Sequence, residues 1–170
     1  MNNKILALIS LLCCSCSTTK SLDVVKSVDL SKYLGTWYEI ARLPAWFERG
    51  CVGVTANYSI REDGYIKVLN SCKKNTLDGP TKEAIGKAWV VDKVTNAKLK
   101  VMFFWPFAGD YWIIDLDDKD YKYAVVGDPG RNYLWVLSRT PKMDEVLLKD
   151  LLDKAQKNGF DVDKLIRTLQ

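Results

Sequence analysis

The residues able to carry covalent or redox chemistry are few. The 170-residue chain has five cysteines, at positions 13, 14, 16, 51 and 72, and no histidine. Without histidine there is no imidazole base, no Ser-His or Cys-His nucleophile pair, and none of the usual zinc, haem or non-haem iron ligand sets. A thiol at Cys51 or Cys72 could act as a nucleophile only as its thiolate, and nothing obvious in the sequence lowers its pKa. The alternative is a disulfide, since two cysteines in an oxidising compartment can bond. They flank a hairpin spanning 51–71. A tight turn at Glu62-Asp63 puts Cys51 opposite Lys74 and Cys72 diagonal to it, so a bond requires a bulge or irregular strand ends.

The first three cysteines belong to a different pattern. Lys4 supplies a positive charge, Ile5–Leu12 is apolar apart from Ser10, and Cys13-Cys14-Ser15-Cys16 follows. Eight residues cannot cross a bilayer, which takes about 20 in a helix. A basic start, a short apolar run and small residues form a secretory signal peptide over 1–15. A cysteine after a small residue at the end of that run resembles the lipobox of bacterial lipoproteins, which points to Cys16 as the lipidated residue, with Cys13 and Cys14 left as alternatives. Residues 16–28 then read as a polar tether, and 29–170 as the folded domain.

The body must supply whatever positions a site. With 48% hydrophobic residues, including 6 Trp, 8 Tyr and 5 Phe, it can bury one sizeable core. The net charge of +4 is interspersed along the chain rather than clustered, which argues against nucleic acid as a partner. Strand-like runs occur at 35–43, 51–60, 65–71, 83–91, 97–104, 110–116, 121–127 and 132–138, separated by short Asp-, Asn-, Gly- and Pro-rich turns. In the fifth run, Ala97, Leu99, Val101 and Phe103 alternate with Lys98, Lys100, Met102 and Phe104, which predicts that the first set is buried throughout. Leu147, Leu148, Leu151, Leu152 and Ala155 have helical spacing between Asp144 and Asn158-Gly159. A last short strand is expected near 164–168. Eight strands joined by short links predict an all-β, antiparallel up-and-down barrel with the helix packed outside. Such a barrel has room for one small ligand.

Two segments at the ends of this run resemble the lipocalin family. Tyr33-Leu34-Gly35-Thr36-Trp37-Tyr38-Glu39-Ile40-Ala41-Arg42 contains its Gly-x-Trp signature, and Leu137-Ser138-Arg139-Thr140-Pro141 its closing arginine motif. The likeness also takes in Phe47-Glu48-Arg49-Gly50, Asn132–Leu137 and Asn158–Val162, and is nearest to bacterial outer-membrane lipocalins and to apolipoprotein D. Gly109-Asp110-Tyr111 stands for the family's middle Thr-Asp-Tyr signature. The resemblance implies that Gly35, Trp37 and Arg139 maintain the fold, with the guanidinium stacked on the indole at the barrel's closed end. It also implies a ligand pocket lined by Tyr58, Asn70, Phe103, Tyr111 and Trp135, although the same residues could fill a solid core. Strand alternation from Trp37 sends Glu39, Ala41 and Leu43 inward, with Glu39 a further polar contact, and alternation from Arg139 sends in Leu137, Trp135 and Tyr133. Pro44-Ala45-Trp46-Phe47 and Phe104-Trp105-Pro106-Phe107 fall on loops, where they would line the mouth, touch a membrane or fold back as lids.

The function implied is a lipid-anchored carrier of fatty acids such as palmitate, lysophospholipids or similar amphiphiles, placed at the outer membrane and facing the periplasm. No cofactor or metal is called for, and a homodimer is left open. The rivals are an enzyme acting on lipids or peroxides through Cys51 or Cys72, as in the prostaglandin-isomerising lipocalins, and a carrier of a planar tetrapyrrole. The anchor reading has a direct test. Cys16→Ser is expected to move the protein from the washed membrane fraction to the soluble periplasmic fraction, because two acyl chains provide the stable attachment. Full retention on washed membranes would refute it.

Overall fold

The computed structural model describes residues 21–170. Its core element is a closed antiparallel sheet of eight strands: β1 (Gly35–Arg42), β2 (Cys51–Ile60), β3 (Ile66–Lys74), β4 (Thr81–Val90), β5 (Lys98–Phe104), β6 (Phe107–Leu116), β7 (Tyr123–Gly127) and β8 (Leu134–Ser138). Each strand pairs with its successor in sequence, and β1 pairs with both β8 and β2, which closes the barrel. A two-residue strand, β9 (Ile166–Arg167), joins β1 beside Ala41 and Arg42. The short connections enforce this meander, because antiparallel neighbours need only a turn.

Inward-facing residues of successive strands fall into register. Ala56 lies opposite Asn70 and Asn70 opposite Ala84, while Leu99 lies opposite Tyr111 and Val126 opposite Trp135. Trp37, Val68, Leu99, Ile113 and Leu137 form the inner core. A second apolar cluster lies outside the wall, where helix α2 (Glu145–Lys157) packs Leu148, Leu151 and Ala155 against Ile40, Val125 and Val136. The helix starts where the Asp144 carboxylate accepts the Val146 and Leu147 amides at 3.0 Å each.

One end of the barrel is sealed. A helical turn, α1 (Leu30–Tyr33), crosses it, capped by Asp29. Trp37 is fully buried and donates its indole N–H to Tyr33 O at 2.8 Å, and the Arg139 guanidinium lies 3.8 Å above its ring. Arg139 also donates to the carbonyls of Tyr121, Thr36 and Lys32, tying three chain segments to the plug. Gly35 has φ +88°, a left-handed conformation that favours glycine, and a Cβ there would meet Arg139 Nη1 at 3.5 Å.

Several sequence expectations need revision. Pairing in β1 shifts between Glu39 and Ala41, a β-bulge that leaves Ile40 and Ala41 both in the outer cluster. Leu43 is there too, and Arg42, opposite Trp135, faces inward instead. Simple alternation fails here because a bulge inserts one residue without a partner. The Gly109-Asp110-Tyr111 triplet lies within β6, the strand expected from residue 110, and does not itself form the closed-end turn. The closed-end turn after β6 is built instead by Asp117–Lys122, where Asp117 Oδ2 accepts the Lys122 amide and the Tyr121 hydroxyl accepts the Asp29 amide. Phe103 occupies the inward register of β5 but is 41% exposed, because β5 runs out to the barrel's open rim. Residues 21–28, read as part of a polar tether, lie along the wall with Leu22 and Val28 buried.

Cys51 and Cys72 are joined in a disulfide with Cα atoms 5.5 Å apart. The β2–β3 turn is one residue longer than a tight turn, pairing Ile60 with Ile66. An irregularity between Val52 and Thr55 then restores Cys51 to its place opposite Lys74. Gly53 sits in that irregularity at φ +55°.

Two stability outcomes follow from the plug and the bond. Trp37→Ala is expected to lower unfolding stability by about 3–5 kcal/mol, the usual loss for a large buried aromatic ring, measured by urea denaturation. Cys51→Ser/Cys72→Ser is expected to lower it by about 2–4 kcal/mol under non-reducing conditions.

Candidate functional site

The unsealed end opens between the β1–β2, β3–β4, β5–β6 and β7–β8 connections, so the site is a cup closed at the Trp37 end. Three tyrosines build its floor. Tyr33 arrives on α1, Tyr58 on β2 and Tyr111 on β6, and the Tyr111 hydroxyl shares hydrogen bonds with those of Tyr33 at 2.8 Å and Tyr58 at 2.9 Å. Burial raises all three phenols above their ordinary range, Tyr58 to about 12, so they stay neutral and paired. Tyr58 and Tyr111 therefore form the base of the cup rather than its open wall.

Above them the wall is apolar with sparse polar groups. Ala56, Leu99 and Val101 line it, and Gly109 leaves open space where a side chain would project. Asn70 points inward on β3, and its Oδ1 is buried without a hydrogen-bond partner. A buried acceptor left unpaired is destabilising unless a ligand or solvent donor reaches it. Phe103 lies over Gly86 at the rim, where a Cβ would come within 2.8 Å of the ring. Trp135 stands on the opposite wall, half-buried, stacked on Tyr133 with centroids 5.7 Å apart, and Tyr133 in turn contacts Phe47.

Sequence reasoning missed the charged group beside Trp135. The bulge turns Arg42 inward, where its Nη1 donates to Glu39 Oε1 at 2.9 Å and its Nη2 to the Glu48 carbonyl at 3.1 Å. Arg42 Nε lies 3.1 Å from Glu48 Oε2 without hydrogen-bond alignment. Trp135 Nε1 donates to Glu48 Oε1 at 3.2 Å, and Thr168 donates to Glu39. Glu39 is thus inside the cup, as expected, but its carboxylate is committed to Arg42 and Thr168. The one visible signal was an arginine among apolar neighbours with carboxylates three before and six after it; the bulge that unites them leaves no mark in the sequence. Burial, then the neighbouring Glu39 carboxylate, raises Glu48 to about 8, against the opposing pull of Arg42.

The disulfide leaves no free thiol among the described residues, and no group of three or more metal-ligating side chains converges there. Lys82 donates to Phe47 O and Lys74 to Arg49 O, strapping the first loop across the mouth. Between that loop and β9 runs a cleft of about 710 Å³, lined by Trp46, Arg49, Tyr133, Ile166 and Leu169. Cys16 lies outside the described residues.

A sealed floor, an apolar wall and a single open mouth define a binding cup for one small, largely apolar molecule. The chain belongs to the lipocalin family, whose lipocalin-like domain matches residues 28–170. It is 45% identical over 154 residues to outer membrane lipoprotein Blc of Escherichia coli K12, covering 91% of this chain and 86% of that one. It is also 32% identical over 153 residues to apolipoprotein D of Bos taurus, covering 86% and 79% respectively. Among solved structures, insecticyanin of the tobacco hornworm Manduca sexta shares the fold at a TM-score of 0.67, with 22% identity and coverage of 88% and 85%.

The raised Glu48 gives a pH signature. A carboxyl that is protonated in the folded state stabilises it most below the unfolded value near 4.5, and that contribution is lost as pH rises through about 8. Glu48→Gln mimics the protonated form. The stability of the wild type relative to Glu48→Gln should therefore increase as pH falls from 8 to 5, measured by denaturant unfolding at each pH. A flat difference would mean that Glu48 is ionised throughout.

Proposed function

We propose that this lipocalin is a lipid-anchored carrier that takes one fatty acid, such as palmitate, or one lysophospholipid into its cup at the bacterial outer membrane. The observation that carries the reading is the cup itself. One end is sealed by Trp37 and Arg139, and the wall above is apolar, with the unpaired Asn70 Oδ1 and the Trp135 ring facing the space. An acyl chain gains about 0.8 kcal/mol for each methylene removed from water, so about ten methylenes suffice for micromolar affinity after the cost of association. Asn70 supplies an acceptor for a head-group donor. The outer-membrane placement is supported by the 45% identical relative named as an outer membrane lipoprotein, and by the signal-like residues 1–15 ending at Cys16.

Catalysis by a thiol is disfavoured by the disulfide, which occupies both cysteines of the domain. Titration with palmitate and lysophospholipid tests the carrier reading. Trp135→Ala is expected to weaken binding about tenfold or more, equivalent to about 1.4 kcal/mol of lost contact. Cys51→Ser/Cys72→Ser should keep affinity within a few-fold and release no product. Thiol-dependent turnover, or unaltered affinity in Trp135→Ala, would overturn the assignment.

A further inference from the structure

Exposed phenylalanine and tryptophan are unevenly distributed over the barrel. Among the described residues, all of the largely exposed ones, Trp46, Phe47, Phe103, Phe104, Trp105 and Phe107, belong to the open end. Four are more than 70% exposed: Trp46 at 78%, Phe104 at 74%, Trp105 at 79% and Phe107 at 72%. The last three crown one hairpin, in which Phe104 pairs with Phe107 across the two-residue turn Trp105-Pro106. Exposed aliphatic residues elsewhere, such as Ile60, Ile85 and Val94, are spread over the other end and the wall. An apolar cluster confined to one rim marks an interaction surface, and tryptophan suits the boundary between lipid tails and water, where its ring is apolar and its N–H stays wet.

Two independent observations indicate a bilayer as the occupant. The first is charge. Apart from the buried Glu48, the rim loops and strand tops carry Arg49, Lys73, Lys74, Lys82 and Arg131 against Asp78, Glu83 and Asp128, whereas in the closed-end turns Glu62, Asp63, Asp92, Asp117, Asp118 and Asp120 stand with Arg61, Lys93, Lys119 and Lys122, of which Arg61 pairs with Asp63 and Lys122 with Asp120. The rim thus has a small excess of positive charge, which favours an anionic lipid surface at that end.

The second is the course of the N-terminal segment. Val28 bonds to Thr95 O at the closed end, and Val25 bonds to Ile113 O halfway up β6. Followed backwards, the chain therefore climbs from the base towards the mouth. From Ile113 to the rim at Phe107 is six residues of strand, roughly 20 Å. From Val25 back to Cys16 is nine residues, which can span about 30 Å when extended. The plane of the mouth is thus within the maximum span of the chain from Val25 to an anchor at Cys16, as the proposed function has it.

We propose that the open rim is a membrane-docking face. Trp46, Phe104, Trp105 and Phe107 seat in the interfacial zone of a phospholipid bilayer, Arg49 and Lys74 lie against its anionic headgroups, and the cup opens directly onto the lipid surface. This inference rests on the anchor for its orientation but not on the identity of the ligand. Docking is a local contact held in place by the acyl chains, too small to retain the protein on washed membranes alone.

The full lipidated protein, reconstituted into vesicles of phosphatidylethanolamine and phosphatidylglycerol, provides the test. Lipids brominated in mid-chain quench only indoles that enter the bilayer. Wild-type tryptophan emission is expected to be quenched, and Trp46→Phe/Trp105→Phe should lose at least half of that quenching, while Trp89→Phe loses none. Phe104→Ser/Phe107→Ser should reduce quenching of the remaining rim indoles at least twofold with unchanged melting temperature and palmitate affinity.

Absence of quenching in the wild type, or equal quenching in Trp46→Phe/Trp105→Phe, overturns the proposal. So does a dimer in sedimentation that dissociates in Phe104→Ser/Phe107→Ser, because the rim would then be covered by a second copy. Failure of palmitate binding alone would overturn the carrier reading and leave the docking result standing.

Discussion

The stack of the Arg139 guanidinium on Trp37 is the contact on which the cup depends. It lies where the first strand, the last strand, α1 and the β6–β7 turn converge, and the three carbonyls that Arg139 engages come from separate segments of the chain. A planar cation satisfies all of them while covering an aromatic face, which a point charge such as lysine could not do. Sealing this end leaves the barrel open at its other end alone. Tyr33, one of the three hydrogen-bonded tyrosines, contacts the Trp37 ring, so the tyrosine group and the plug close the same end.

The open end follows a different logic. There the wall is bent by bulges: one in β1 turns Arg42 into the cup, and another in β2 brings Cys51 within bonding reach of Cys72. β1 leaves its lower partner β2 and takes up β9, and the C-terminal residues fill the gap, with Leu169 O accepting the Gly53 amide and Gln170 donating to Glu39 O and Val54 O. The buried Glu39–Arg42–Glu48 group therefore joins the first strand, the first loop and the C-terminal tail. Two carboxyls about one guanidinium leave an excess negative charge, and burial resolves it by favouring a proton on Glu48.

These two ends divide the labour of the fold. The closed end holds the sheet shut with a dense set of hydrogen bonds, while the rim exposes aromatic rings that a soluble surface would ordinarily hide. Between them the cup's wall presents apolar side chains and one unpaired amide oxygen.

Much of this was legible in the sequence. The alternation of Ala97, Leu99 and Val101, the turn residues between runs and the helical spacing of Leu148, Leu151 and Ala155 are local signals of period two and 3.6, and they specified eight strands, a meander and an outer helix. The Gly35-x-Trp37 and Arg139 motifs named the plug, because a motif is a local record of a contact. Tyr58, Asn70, Phe103, Tyr111 and Trp135 all face the interior, yet their depths differ from floor to rim. Depth depends on strand length and on where each turn falls, which no local pattern encodes. The tertiary structure alone decided that Arg42 faces inward, that Ala41 and Leu43 face out, and that Cys51 meets Cys72. Each of these depends on a bulge, and a bulge reverses the direction of every side chain beyond it without altering the sequence pattern that precedes it.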